Sequence, residues 1–195
     1  MGSREKILQT IKQNKPAAVP LPSMPSFNRM TDDPLQTFVE TLTAIGGHAV
    51  VNDLYQLKDF LTQQKQKGVQ VINGVEELAD YNISEYKNHK AIDLESVDTV
   101  VIKGKIAVAE NGSVWVTDSS IGNRVLPFIC EHLIIVIDEA SIVSTMHEAY
   151  KKIKIDEEGY GVFIAGPSKT ADIEQSLVIG AHGPLSLQVY VMPWP

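Results

Sequence analysis

The chain has 195 residues, 44% of them hydrophobic, enough for one domain with a sizeable core and too apolar for a disordered segment. Its 24 acidic residues outnumber 17 basic ones, a formal charge of −7, so it lacks the basic surplus that accompanies phosphate-backbone binding, and nucleic acid is not an expected partner. Cys130 stands alone, which excludes an intramolecular disulfide, an all-cysteine zinc site and an iron–sulfur cluster held by this chain alone.

The single cysteine makes a reducing cytoplasm the expected location, and the N-terminal stretch "MGSREKILQTIKQNK" is charged and amphipathic without a secretory apolar core. No apolar run approaches the roughly 20 residues needed to cross a bilayer, and no membrane span is expected. Residues 4–14 read as a helix with Ile7, Leu8 and Ile11 on one face. Next comes an arm interrupted by Pro16, Pro20, Pro22 and Pro25, which deny it regular structure. Its apolar residues Val19, Leu21, Met24 and Phe27 suit a covering strap or a plain linker equally. The expected organisation is therefore a helix and proline-rich arm over 1–31 and one domain over 32–195.

From Asp32 the pattern alternates: a helix to about Ile45, a strand over 48–51, a helix over "LYQLKDFLTQQKQKG" and a strand over 69–72. Gly46-Gly47 and Gly68 stand at the helix ends. That rhythm implies βαβ units around a parallel sheet. Beyond the weakly patterned 79–88 come the strands of "VDTVVIKGKIAVAENGSVWVTD" and "HLIIVIDE". A helix over 142–153, a strand in "GYGVFIAG" and a final strand "SLQVYVM" complete the chain. The expected class is an α/β sandwich.

Nucleotide and nucleophile signatures are absent from the sequence: there is no phosphate-binding loop with Lys-Ser/Thr, no strand followed by G-x-G-x-x-G, no G-x-S-x-G and no H-E-x-x-H. Candidate chemistry concentrates instead in "AGPSKTADIEQSLVIGAHGP", residues 165–184. An apolar strand delivers the chain to Ser168, and the carboxyl ends of strands are where open α/β sheets place ligands. Asp172 suits the N-cap of a short helix with Gln175 three positions on and Gly180 as its stop. The free N–H groups of such a helix start, beside Lys169, would hold a carboxylate. Thr170, Glu174 and His182 add further polar groups, though a histidine in a turn is also ordinary surface.

A second constellation is "AVAENGSVWVTD", a hairpin turning at Glu110-Asn111-Gly112. Glu110 is either a surface residue before the turn or a carboxylate aimed across the sheet's end. A third is "SSIGNRVLPFICEHLIIVIDE", with Arg124, suited to a planar carboxylate or to a plain salt bridge, and His132, leading a buried strand.

Together "AENGSVWV", "RVLPFICEH" and "GPSKTADIEQSLVIGAHGP" resemble the LutC/YkgG family, the LUD-domain proteins called lactate utilization protein C, over roughly Asp32 to Met192. The resemblance implies a three-layer α/β sandwich with a largely parallel central sheet, similar to the NagB/RpiA/CoA-transferase group. It also implies a part in oxidising L-lactate to pyruvate together with an iron–sulfur LUD-family protein and a second iron–sulfur subunit. Glu110, His182 and Asp172 are then the expected catalytic groups. Arg124, His132, Ser168, Lys169, Thr170, Glu174 and Gly183 would bind a small carboxylate. No metal is expected, because His182, Glu174 and Asp172 lack a ligand spacing, and no cofactor is expected on this chain alone. The turn departs from the family pattern, Glu-Asn-Gly for Glu-Thr-Gly, and resembles the turn carrying the nucleophilic glutamate of CoA transferases. Three readings follow: an accessory subunit, an autonomous acyl- or CoA-transferase-like enzyme using Glu110, and a non-catalytic scaffold.

Overall fold

Strands that are apolar at nearly every position must bury both faces, and such strands belong in the middle of a parallel sheet. "HLIIVID" and "SLQVYVM" are of this kind. In a computed structural model, which describes residues 2–17, 19–20, 22–23, 32–81, 86, 89–171 and 177–193, they lie side by side at the centre of the molecule.

The elements in chain order begin with helices α1 (Ser3–Gln13) and α2 (Pro34–Ala44), then β1 (His48–Val51), α3 (Leu54–Gln66), β2 (Val71–Asn73) and β3 (Thr99–Lys103). There follow β4 (Ile106–Val108), β5 (Ser113–Thr117), the short helices α4 (Asp118–Ile121) and α5 (Leu126–Ile129), and β6 (His132–Asp138). The remainder is β7 (Ile142–Val143), α6 (Met146–Lys152), α7 (Ile155–Glu158), β8 (Gly161–Ile164), β9 (Lys169–Ala171), β10 (Leu177–Ile179) and β11 (Ser186–Met192). Two helix starts follow from capping: Asp33 accepts from the Gln36 N–H at 2.9 Å and Asp53 from the Gln56 N–H at 2.8 Å.

The central sheet has five strands in the order β1-β11-β6-β3-β2, every pair parallel. Side chains alternate across it. On one face Val100, Ile102, Leu133, Ile135, Leu187 and Val189 join the core formed with Phe38 and Leu42 of α2 and with Val114 and Val116 of β5. On the other face Val101, Ile134, Val136 and Tyr190 pack with Leu57 and Leu61 of α3 and with Leu78. The result is three layers: α3 and a short 3-10 helix (Glu76–Tyr81) on one side, the parallel sheet, then α2 and a second sheet on the other. The expected α/β sandwich around a parallel sheet is the fold.

Three local expectations need correction. The helix expected over 142–153 starts only at Met146, because the β-branched pair Ile142-Val143 forms β7 parallel to β4 and Thr145 caps the helix behind it. The strand of "GYGVFIAG" is not in the parallel sheet: β8 pairs antiparallel with β5 at the edge of a four-stranded sheet ordered β7-β4-β5-β8. Of the short helix expected from Asp172 to Gly180, residues 172–176 fall outside the described residues, and Leu177–Ile179 instead form a strand paired antiparallel with Lys169–Ala171, Val178 opposite Thr170 and Ile179 opposite Lys169. The β-branched residues Thr170, Val178 and Ile179 favour extended chain over the helix that the capping pattern suggested. In the arm, α1 is formed with Ile7, Leu8 and Ile11 exposed, and Val19 is exposed too; Leu21, Met24 and Phe27 fall outside the described residues.

Candidate functional site

Because the central sheet is parallel, the first residues of its strands meet at one edge, and in three neighbouring strands those residues are polar. Thr99, His132 and Ser186 occupy a single rung, in register across β3, β6 and β11. His132 Nδ1 lies 2.8 Å from the Ser186 hydroxyl, and the Thr99 hydroxyl donates to Asp98 Oδ1 at 2.6 Å. The backbone ties the rung together: the N–H groups of Glu131 and His132 both donate to the Asp98 carbonyl, while those of Leu185 and Ser186 donate to the Glu131 carbonyl. One ligand-capable atom from each of Asp98, Glu131 and His132 then falls within 4.8 Å of the other two.

Beside this edge runs an open groove of about 560 Å³, lined among others by Ile92, Glu95, Phe128, Glu131, His182 and Gly183. Cys130 also borders it but is buried, and burial, reinforced by the nearby Asp98 charge, pushes its thiol up to about 12. Such a thiol is not a nucleophile at neutral pH. The signature segment is folded back on itself here: the Ser168 N–H donates to the Pro184 carbonyl at 2.9 Å, and the Gly180 N–H to the Ser168 carbonyl at 3.0 Å. Gly183 packs against Ser168, and a Cβ added there would meet the Ser168 Cβ at 3.0 Å.

The other end of the signature meets a different neighbour. The corner between α2 and β1, Leu42 to Gly46, receives three glycine or lysine contacts. Gly112, from the Glu110 turn, sits 3.0 Å from the Leu42 backbone measured from its ideal Cβ position, and Gly166 likewise sits 2.9 Å from the Ile45 carbonyl. Lys169 Nζ comes within 3.4 Å of the Cβ position of Gly46. The Glu110 turn and the Gly166 to Lys169 segment, far apart in sequence, thus share one small wall. The turn itself spans Ala109 to Gly112: Asn111 Oδ1 accepts from the Ser113 N–H at 3.0 Å, and Gly112 adopts φ +66. With both a left-handed backbone and a helix against it, that position admits only glycine. Glu110 is exposed and its N–H donates to the Ser144 carbonyl.

Arg124 stands apart from both. It grips Asp118 through two hydrogen bonds, 2.8 and 3.0 Å, and its guanidinium lies 4.7 Å from the Tyr160 ring centre. Those hydrogen bonds hold the Asp118 carboxyl below the usual carboxylate range and raise Arg124 in turn. The structure therefore joins His182 and Gly183 in the groove beside Glu131, and brings Lys169 and the Glu110 turn to the corner. Glu110 is not among the groove's lining residues, and both places adjoin the strands' starts or the α2–β1 corner, not the carboxyl ends of the parallel strands. Thr170 lies in β9, opposite Val178. Asp172 and Glu174 fall outside the described residues.

The sequence reading missed Asp98, Glu131 and Glu95. A signal existed for the first two: "D-T-V-V-I" and "E-H-L-I-I" each set an acidic residue just before a buried strand.

The LUD domain model matches residues 4–192, almost the whole chain. The chain belongs to the LUD domain family. The match includes α1 and the arm. Relatives of this LUD domain include the lactate utilization protein C of Shouchella clausii, 35% identical over 47% of this chain and 42% of the relative, and that of Oceanobacillus iheyensis, 30% identical over 50% and 45%. The chain covers less than half the length of each of these relatives. A DUF162 family protein of Deinococcus radiodurans shares the fold, with a TM-score of 0.62 at 19% identity over 82% of this chain and 96% of that one.

Proposed function

We propose that this LUD domain is an accessory subunit of a cytoplasmic system oxidising L-lactate to pyruvate, binding a small hydroxy or keto acid at the α2–β1 corner. The family and the names of the matched relatives support a role in lactate utilization. The observation that carries the site reading is the convergence of the Glu110 turn and Lys169 on the Leu42 to Gly46 corner. Lys169 has no ion-pair partner among the described residues, so its ammonium is available to a substrate carboxylate. In this reading Glu110, whose turn abuts the same corner through Gly112, would take or return the hydroxyl proton.

Removing two electrons from the lactate carbon needs an acceptor held nearby. The sequence has no dinucleotide fingerprint and one cysteine, so in this reading the electrons pass to an iron–sulfur LUD-family protein and a second iron–sulfur subunit. The test is dye-linked lactate turnover by the purified chain with and without those partners. Turnover only in the mixture supports the accessory role, and turnover by the chain alone overturns it.

The exposure of Glu110 on a rigid, glycine-pinned turn favours one further reading, acyl transfer. Its carboxylate oxygen would attack the carbonyl of an acyl-CoA, the C–S bond would break with CoA leaving as its thiolate, and the acyl group would remain on Glu110 as a mixed anhydride. Hydroxylamine trapping after incubation with acyl-CoA tests this: absence of a hydroxamate at Glu110 removes it. A purely structural scaffold predicts that neither ligand binds.

A further inference from the structure

We infer that Asp98, Glu131 and His132 form a binding site for a divalent transition-metal ion of the Zn²⁺ class at the amino-terminal edge of the central sheet. This site is distinct from the α2–β1 corner and does not depend on the carboxylate reading. The residues are also not the signature set, His182, Glu174 and Asp172, from which no metal was expected.

The inference begins with the donor set. One imidazole and two carboxylates are the ligand types of mixed nitrogen and oxygen sites for first-row divalent ions. Their candidate ligand atoms lie within 4.8 Å of one another, against bonds of about 2.0–2.2 Å from such an ion to each donor.

The support around the donors is the independent observation. A metal-binding histidine commonly has its second ring nitrogen hydrogen-bonded, which fixes the tautomer and aims the first. Here Nδ1 of His132 is engaged by the Ser186 hydroxyl at 2.8 Å, which anchors the ring from the neighbouring strand. Asp98 is oriented in the same manner by Thr99 at 2.6 Å, through one oxygen, leaving the other. Neither Ser186 nor Thr99 is a ligand, and both stand on the rung of His132 in adjacent strands. Hydrogen bonds from the backbone of Glu131 and His132 to the Asp98 carbonyl then fix the three main-chain positions relative to one another. Glu131 also borders the groove that holds His182, so an ion held here would face that groove with coordination positions open to water or a small oxygen ligand.

Calorimetric titration of the full chain, first freed of metal by chelation, with Zn²⁺ alone tests the site. One equivalent is expected to bind. Glu131→Gln and His132→Gln are expected to lower the affinity at least tenfold, and Ser186→Ala, which frees the imidazole, roughly tenfold to a hundredfold. His48→Ala, on the outer strand β1, should leave binding within about twofold of wild type. The d–d absorption of the Co²⁺-loaded chain should change on His132→Gln. Glu131 is exposed, so Glu131→Gln provides a folded variant even if the histidine change perturbs the sheet. No binding by wild type, or equal binding by wild type and Glu131→Gln, overturns the proposal.

Discussion

Arg124 and Asp118 face each other as a two-pronged pair, Nε 2.8 Å from Oδ1 and Nη2 3.0 Å from Oδ2, with Tyr160 beneath the guanidinium. Asp118 occupies the Nε–Nη2 edge of the guanidinium, so a ligand carboxylate can take that two-pronged edge only by displacing it. Arg124→Ala is therefore expected to change pyruvate binding by less than about twofold, whereas a free arginine donating to a carboxylate would be worth roughly tenfold or more. Side-by-side titration of wild type and the variant checks this.

The same pair sets a direction for acid stability. The Asp118 carboxyl is lowered in the folded chain, so its contribution is present above the ordinary carboxylate pKa and is lost as pH falls through the lowered folded value. Both side chains are largely exposed, so the effect is small and screened by salt. Urea unfolding should show wild type slightly ahead of Asp118→Asn at neutral pH and low salt, with the difference disappearing in acid.

Gly112 is where the Glu110 turn is fixed. An alanine there would need φ +66 and a Cβ 3.0 Å from Leu42 N and Cα, a contact that neither the turn nor the helix can relieve without moving. Gly112→Ala should cost about 2 kcal/mol or more. The urea midpoint should fall with little change in slope.

Cys130 gives the alkaline counterpart. Its folded pKa of about 12 lies above the ordinary thiol value, so between the two the unfolded chain loses its proton first. Stability should fall as pH rises through that window, and less so in Cys130→Ala, which lacks the thiol. Alkylation of Cys130 by iodoacetamide in the folded chain should be slower by roughly a thousandfold than in the denatured one, since the thiolate and access are both suppressed.

How much of this could be read in advance depends on which interactions decide each element. β6, apolar from Leu133 to Ile137, and β11, apolar at five of its seven positions, are legible as buried parallel strands because little else hides both faces. Asp33 and Asp53 mark their helices by local hydrogen bonds, which the sequence carries directly. β8 was legible as a strand but not as a member of the second sheet, since alternation is the same in either and pairing with β5 is a long-range choice. The capping pattern at Asp172 falls outside the described residues, while Thr170, Val178 and Ile179 on either side of it, β-branched, pair as a ladder that the local pattern did not reveal. The site was legible in part. Lys169 and Glu110 stood out by type and their shared wall by nothing local, while Asp98 and Glu131 acquire meaning only through the register that sets Thr99 beside His132.

The isolated chain should not oxidise lactate in a dye-linked assay, because its sequence offers no acceptor for the two electrons. Binding, however, should survive isolation. The most direct measurement is titration of the purified chain with pyruvate, comparing wild type with Lys169→Ala and Lys169→Arg. Loss of about 1.5 kcal/mol, roughly tenfold in Kd, is expected for Lys169→Ala, with substantial recovery in Lys169→Arg. Equal affinity for pyruvate in wild type and Lys169→Ala, or no binding by wild type, would contradict the assignment of the α2–β1 corner as the carboxylate site.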